Sequence, residues 1–182
     1  MRIINIILFS LMLSACASGV NIDYDKDTNF KEFKTYNVEK TPIRVSADTR
    51  INSPFMQQRV VKELGRVLTK KGFQHLKANT ELTVKYYLDI KQEIETEDSG
   101  VSIGFGRSSH HSAIGFGFTV PVGETSSIDK LVLTIDMTSS KTGELIWRGS
   151  LGYSLVEGAT PETYSLLIKN LVAEILKNFP PK

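Results

Sequence analysis

From Leu82 the chain alternates with period two: Leu82, Val84, Tyr86, Leu88 and Ile90 fall on one side of an extended backbone, Thr83, Lys85, Tyr87, Asp89 and Lys91 on the other. A helix would spread both sets around its axis, so this stretch must be a strand with one buried face. A second pair follows, with Leu131, Leu133, Ile135 and Met137 on one face, Lys141-Thr142-Gly143-Glu144 as the turn, then Leu145, Trp147, Leu151 and Tyr153. Setting Ile135 opposite Trp147 pairs Met137 with Leu145 and Leu131 with Leu151, which brings both apolar faces to the same side.

Two segments carry the helical period instead. Ser53-Pro54 supplies an N-cap and a first-turn proline, Met56, Val60, Leu64, Val67 and Leu68 a stripe, and Lys70-Lys71-Gly72 a basic end with a closing glycine. Thr160-Pro161 opens a second helix with Leu167, Leu171 and Ile175 as its spine and Ile168, Val172 and Leu176 beside it, ended by Pro180-Pro181. Shorter strands are expected at Val20-Asn21-Ile22-Asp23-Tyr24-Asp25 and over residues 34 to 38. The fold class that follows is α+β: a two-layer sandwich, mainly antiparallel, with two amphipathic helices on one face and a protruding Gly-rich hairpin.

That hairpin, or loop, is the segment 98–128, which contains the near-repeat Ile103-Gly104-Phe105-Gly106 and Ile114-Gly115-Phe116-Gly117. Pairing the repeats about His110 gives partners whose numbers sum to 220, which would set Val84 opposite Asp136, a core position across from a surface one. An odd number of bulged residues is therefore expected between tip and sheet. Ile103, Phe105, Phe116 and Phe118, with His110 and His111 at the tip, are the candidate contacts for a partner or for lipid; folding back over the domain's own core is the other use open to them.

The N-terminus is an export signal. Met1-Arg2 is a short positive region, Ile3 to Met12 an apolar run too short to span a bilayer permanently, and Leu13-Ser14-Ala15-Cys16 a small-residue cleavage site ending in the sole cysteine. Residues 1–15 are thus read as a lipoprotein signal peptide, 16–20 as a lipidated N-terminus and short tether, and 21–182 as one domain. A single cysteine permits no internal disulfide, so the core must hold the fold unaided. With 22 basic against 20 acidic side chains, the chain has no phosphate-tracking surface, which argues against nucleic acid as a partner.

The order and spacing of several short motifs carry a resemblance. The Cys16 lipobox, Asp23-Tyr24-Asp25, Phe30 with Phe33-Lys34-Thr35-Tyr36, Lys71-Gly72-Phe73, Gly143 with Ile146-Trp147-Arg148-Gly149, and Phe179-Pro180-Pro181 together resemble a family of bacterial outer-membrane lipoproteins catalogued as Domain of Unknown Function 4136. Thr80-Glu81-Leu82 and Val38 depart from its pattern, where Pro-Asp-Leu and an aromatic residue are common. The resemblance implies a diacylglycerol thioether on Cys16, an acylated amine, and an outer-membrane, periplasm-facing location. It brings no catalytic residues.

Chemistry-bearing patterns are sparse. Gly100-Val101-Ser102-Ile103-Gly104 matches a nucleophile elbow by letter, but no acid lies between Ser102 and His110 and no histidine follows His111. His110-His111 lacks a third ligand, and adjacent strand positions face apart, so no metal is assigned. Asp23 and Asp25 share one strand face and could form a carboxylate pair, but that spacing arises constantly in strands; Trp147 with Arg148 could form a stacking platform, for which a core Trp with an outward Arg is the plainer account. No cofactor is expected, and the chain is read as a non-enzymatic binding or scaffolding module of the envelope. A carrier of a small apolar or lipid ligand is the alternative, and a hydrolase is disfavoured.

Overall fold

The computed structural model describes residues 19–39, 48–95, 100–109, 112–121, 126–155 and 158–181, with side chains throughout except at positions 93–127. It is an α+β fold whose elements run β1 (Asn21–Tyr24), a 3₁₀ turn (Phe30–Glu32), β2 (Thr35–Val38), α1 (Pro54–Lys70), β3 (Gln74–His75), β4 (Leu82–Glu95), β5 (Gly100–Ser109), β6 (Ser112–Pro121), β7 (Ser126–Ser139), β8 (Leu145–Ser154) and α2 (Pro161–Ile175). Six strands form one sheet in the order β1-β8-β7-β4-β2-β3. The sheet is mixed: β1 with β8, β8 with β7 and β7 with β4 are antiparallel, whereas β2 runs parallel to both β4 and β3.

Both helices begin as their capping residues require. Ser53 Oγ accepts from Met56 N at 3.2 Å and Thr160 Oγ1 from Thr163 N at 3.3 Å, each followed by a proline whose missing N–H costs nothing at that position. Gly72, at φ 92°, takes the left-handed conformation that ends α1. The stripe Met56, Val60, Leu64, Val67 and Leu68 is buried, as are Ile168, Leu171, Val172 and Ile175 of α2. They join Leu82, Val84, Tyr86 and Leu88 of β4, Leu131, Leu133, Ile135 and Met137 of β7, and Trp147 and Leu151 of β8 in one apolar cluster. Among the described residues no helix is long and apolar enough to cross a membrane.

Two registers differ from those expected of the sequence. In the β7–β8 hairpin, Met137 rather than Ile135 lies opposite Trp147, and Ile135 faces Gly149, with a bulge between Met137 and Thr138. The slip is two residues, so every side chain keeps its face. On the buried face a Cβ at residue 149 would overlap the Trp147 ring and lie 2.7 Å from an Ile175 methyl, so the indole needs the glycine that follows it on the same strand. Leu145, expected opposite Met137, is exposed beside the turn instead.

The second correction concerns β5 and β6. Gly104 pairs with Gly117, Phe105 with Phe116 and Ile103 with Phe118, so the ladder is centred between residues 110 and 111. Partner numbers sum to 221, the same sum as along β4–β7, where Val84 meets Met137. The bulge inferred from a sum of 220 is not needed. Placing the axis on His110 misplaced it by half a residue; the observed register sets the glycines and phenylalanines of the two repeats opposite their like.

Candidate functional site

The face of the sheet opposite the apolar cluster carries the side chains of Lys85, Tyr87, Asp89 and Lys91 from β4, Val132, Thr134 and Asp136 from β7, and Arg148 and Ser150 from β8. Alternation along each strand sends these positions outward because their neighbours are the core residues. The registers then line them up in transverse rows. Asp23, Arg148, Asp136 and Lys85 stand directly opposite one another across β1, β8, β7 and β4, a row of alternating charge. The next row is Asn21, Ser150, Thr134 and Tyr87.

Asp136 and Arg148 dominate this face. Arg148 Nε donates to Asp136 Oδ1 and Nη2 to Oδ2, both at 2.7 Å, a two-pronged pair in which both carboxylate oxygens are engaged. Exposure is lopsided: the Asp136 side chain is 4% exposed and that of Arg148 47%. The guanidinium carbon also sits 5.8 Å from the Tyr87 ring centroid, a cation over an aromatic face. The carboxylate's hydrogen bonds hold Arg148 above the ordinary arginine range. Burial, and secondly the Asp136 charge, raise the Tyr87 hydroxyl, which stays a protonated donor at neutral pH. Thr134 and Ser150 hydroxyls bond to each other at 2.9 Å.

Tyr87, Asp89, Lys91, Val132, Thr134, Arg148 and Ser150 line a groove of about 480 Å³ on this face. Chemically it offers a fixed cation, an aromatic ring and hydroxyls. Arg148 holds both Asp136 oxygens, and Asp89 is the carboxylate that lines the groove. Among the described residues no three His, Cys, Asp or Glu side chains gather as metal ligands.

The residues singled out from the sequence fare differently. Cys16, His110 and His111 lie outside the described residues. Ile103 and Phe105 on β5 are brought directly opposite Phe118 and Phe116 on β6, which puts the four positions on one face of that ribbon. Ser102 lies within β5, paired to Thr119 of β6, with no helix following the strand, so the elbow geometry is not present. Asp25 stands beyond the end of β1 and accepts from Asp27 N at 3.0 Å and Thr28 Oγ1 at 2.6 Å, a turn-capping role that separates it from Asp23. Trp147 is buried and Arg148 faces outward, the plainer of the two readings of that pair.

Sequence reasoning missed Asp136, Thr134 and Tyr87 as a group. Their outward phase was readable, but the expected hairpin register set Asp136 opposite Ile146 and Arg148 opposite Thr134. The two-residue slip between β7 and β8 is what brings the charge pair together.

A family model described as "Domain of unknown function (DUF4136)" matches residues 20–181. No curated protein gives a match. Among solved structures the chain is similar to a PDZ domain protein from Parabacteroides distasonis, with 15% identity and a TM-score of 0.54, over 90% of this chain and 35% of that one. The chain thus spans about a third of that protein's length, and the likeness is one of fold. A PelC dodecamer from Paraburkholderia phytofirmans is also similar, with 9% identity and a TM-score of 0.47, over 86% of this chain and 94% of that one.

Proposed function

Because the chain belongs to the family described as Domain of unknown function (DUF4136), whose description names no activity, we propose a role from its own residues: a non-catalytic binding or scaffolding module of the bacterial envelope. It is anchored to the outer membrane by lipid on Cys16 and faces the periplasm. The observation that carries the binding role is the sheet face on which Arg148 is pinned by Asp136 and laid over Tyr87. A guanidinium fixed before a partner arrives loses little freedom on contact, which suits it to recognise carboxylate or carbonyl groups on a protein surface.

In this reading the domain is a two-layer sandwich with a mainly antiparallel sheet, its helices on one face. The Gly-rich segment 98–128 extends β4 and β7 as a hairpin, and Ile103, Phe105, His110, His111, Phe116 and Phe118 present its apolar and imidazole groups to an envelope partner. The shared partner sum of 221 in both ladders supports a continuous register from sheet to hairpin.

Two measurements test this. Metabolic labelling with a fatty-acid analogue should tag the parent and not Cys16→Ser; label on the serine variant refutes the anchor. A photocrosslinking amino acid placed at Tyr87 or Phe105 should give discrete adducts in intact envelopes, and one placed at Gln58 on α1 should not. Adducts from Gln58 alone would move the binding role to the helices.

A further inference from the structure

We propose that Ile22, Tyr24, Lys71 and Lys177 form a docking patch for an anionic phospholipid surface, which fixes how the domain leans on the membrane that anchors it. The proposal rests on the lipid-anchor reading above. These four side chains, with Pro180 and Pro181, line a groove of about 590 Å³. Ile22 and Tyr24 are 37% and 38% exposed, large apolar groups left in the open on an edge strand.

The composition of the patch follows from β1. Ile22 lies opposite Gly149 and Tyr24 opposite Trp147, so both fall on the helix side of the sheet, while Asp23 lies opposite Arg148 and carries its carboxylate to the other face. Tyr24 is braced edge-on by Phe30 at 6.2 Å, and Phe30 by the buried Phe179 at 6.0 Å. The cations come from the ends of both helices: Lys71 Nζ donates to the Lys177 carbonyl oxygen at 3.1 Å, which ties the two together. Lys177 Nζ lies 3.6 Å from Glu174, but both side chains are well exposed and such a pair exchanges readily for phosphate.

An amphipathic tyrosine and an aliphatic group flanked by lysines is the mixture that settles at a headgroup boundary. Tether length selects lipid over a protein partner. Cys16 precedes Asn21 by five residues, a reach of about 17 Å when extended, so an anchor at Cys16 holds this end of the domain against the leaflet.

The test uses the full chain purified from membranes and reconstituted into phosphatidylethanolamine–phosphatidylglycerol vesicles whose acyl chains are brominated near the headgroup. The parent's only tryptophan, Trp147, is buried and supplies the baseline and a check on folding. Tyr24→Trp should be quenched roughly twofold more than the parent, and the excess should vanish in phosphatidylcholine vesicles, in Lys71→Gln/Lys177→Gln, or at about 1 M salt, where screening shortens to about 3 Å. No excess quenching, or an excess indifferent to charge and salt, overturns the proposal. Intact mass on the same sample separates the two claims. An acylated chain without excess quenching overturns the docking alone; a chain without acyl groups overturns the anchor, and the quenching still decides the docking.

Discussion

Removing one partner of the Asp136–Arg148 pair should cost far more on one side than on the other. The carboxylate is 4% exposed and the guanidinium 47%. In Arg148→Met a buried charge keeps neither of its 2.7 Å hydrogen bonds, a situation that costs about 3–5 kcal/mol. In Asp136→Asn the half-exposed guanidinium turns to water, stays over Tyr87 and retains one amide oxygen as acceptor, so the loss should be about 1 kcal/mol. The double variant should be more stable than Arg148→Met alone, because an uncharged amide is cheaper to leave buried than a carboxylate. Urea melts of the four proteins at neutral pH, compared at constant slope, give the cycle. Equal losses in the two single variants, or a double variant that simply sums them, would refute the claim that Asp136 is a desolvated charge held by Arg148, and with it the pre-set cation on which the binding face depends.

Trp147→Ala should destabilise by about 3–5 kcal/mol in the same melts, since the indole is buried against Phe179 at 5.1 Å; a loss under about 1 kcal/mol would place it on the surface. The Glu81 carboxylate accepts from Lys34 N, Thr35 N and Thr35 Oγ1, and these bonds hold its pKa below the ordinary range. A depressed folded value means stability that is present above about pH 4.5 and lost as pH falls through the lowered one, so the parent's advantage over Glu81→Gln should shrink on acidification; a gap that is flat with pH refutes this. Replacing residues 103–118 by a short Gly-Ser turn should change unfolding free energy by no more than about 1–2 kcal/mol, because closing a loop depends weakly on its length. A larger loss would mean that the segment covers the core.

Local signals carried the elements of this fold. Ser53-Pro54 and Thr160-Pro161 mark helix starts because a cap and a first-turn proline act through backbone groups within one turn. The buried faces of β4, β7 and β8 follow from alternation, which depends only on the strand itself. The parallel edge was hidden, because β3 has only two residues and β2 four, too few to show a period, and β2 is placed from outside: the Tyr36 hydroxyl donates to the Gly65 carbonyl of α1 at 3.2 Å.

Register was the larger gap between sequence and structure. Shifting one strand by two residues returns every side chain to its own face, so alternation cannot distinguish Ile135 from Met137 as the partner of Trp147. The turn and the bulge distinguish them: Ser139 N donates to the Glu144 carbonyl oxygen at 2.9 Å, and the bulge between Met137 and Thr138 shifts the ladder so that Met137 meets Trp147. The outward site inherits this choice. Asp136 meets Arg148 because the bulge sets that pairing, and its two oxygens close on the guanidinium only once both strands lie side by side in the folded sheet.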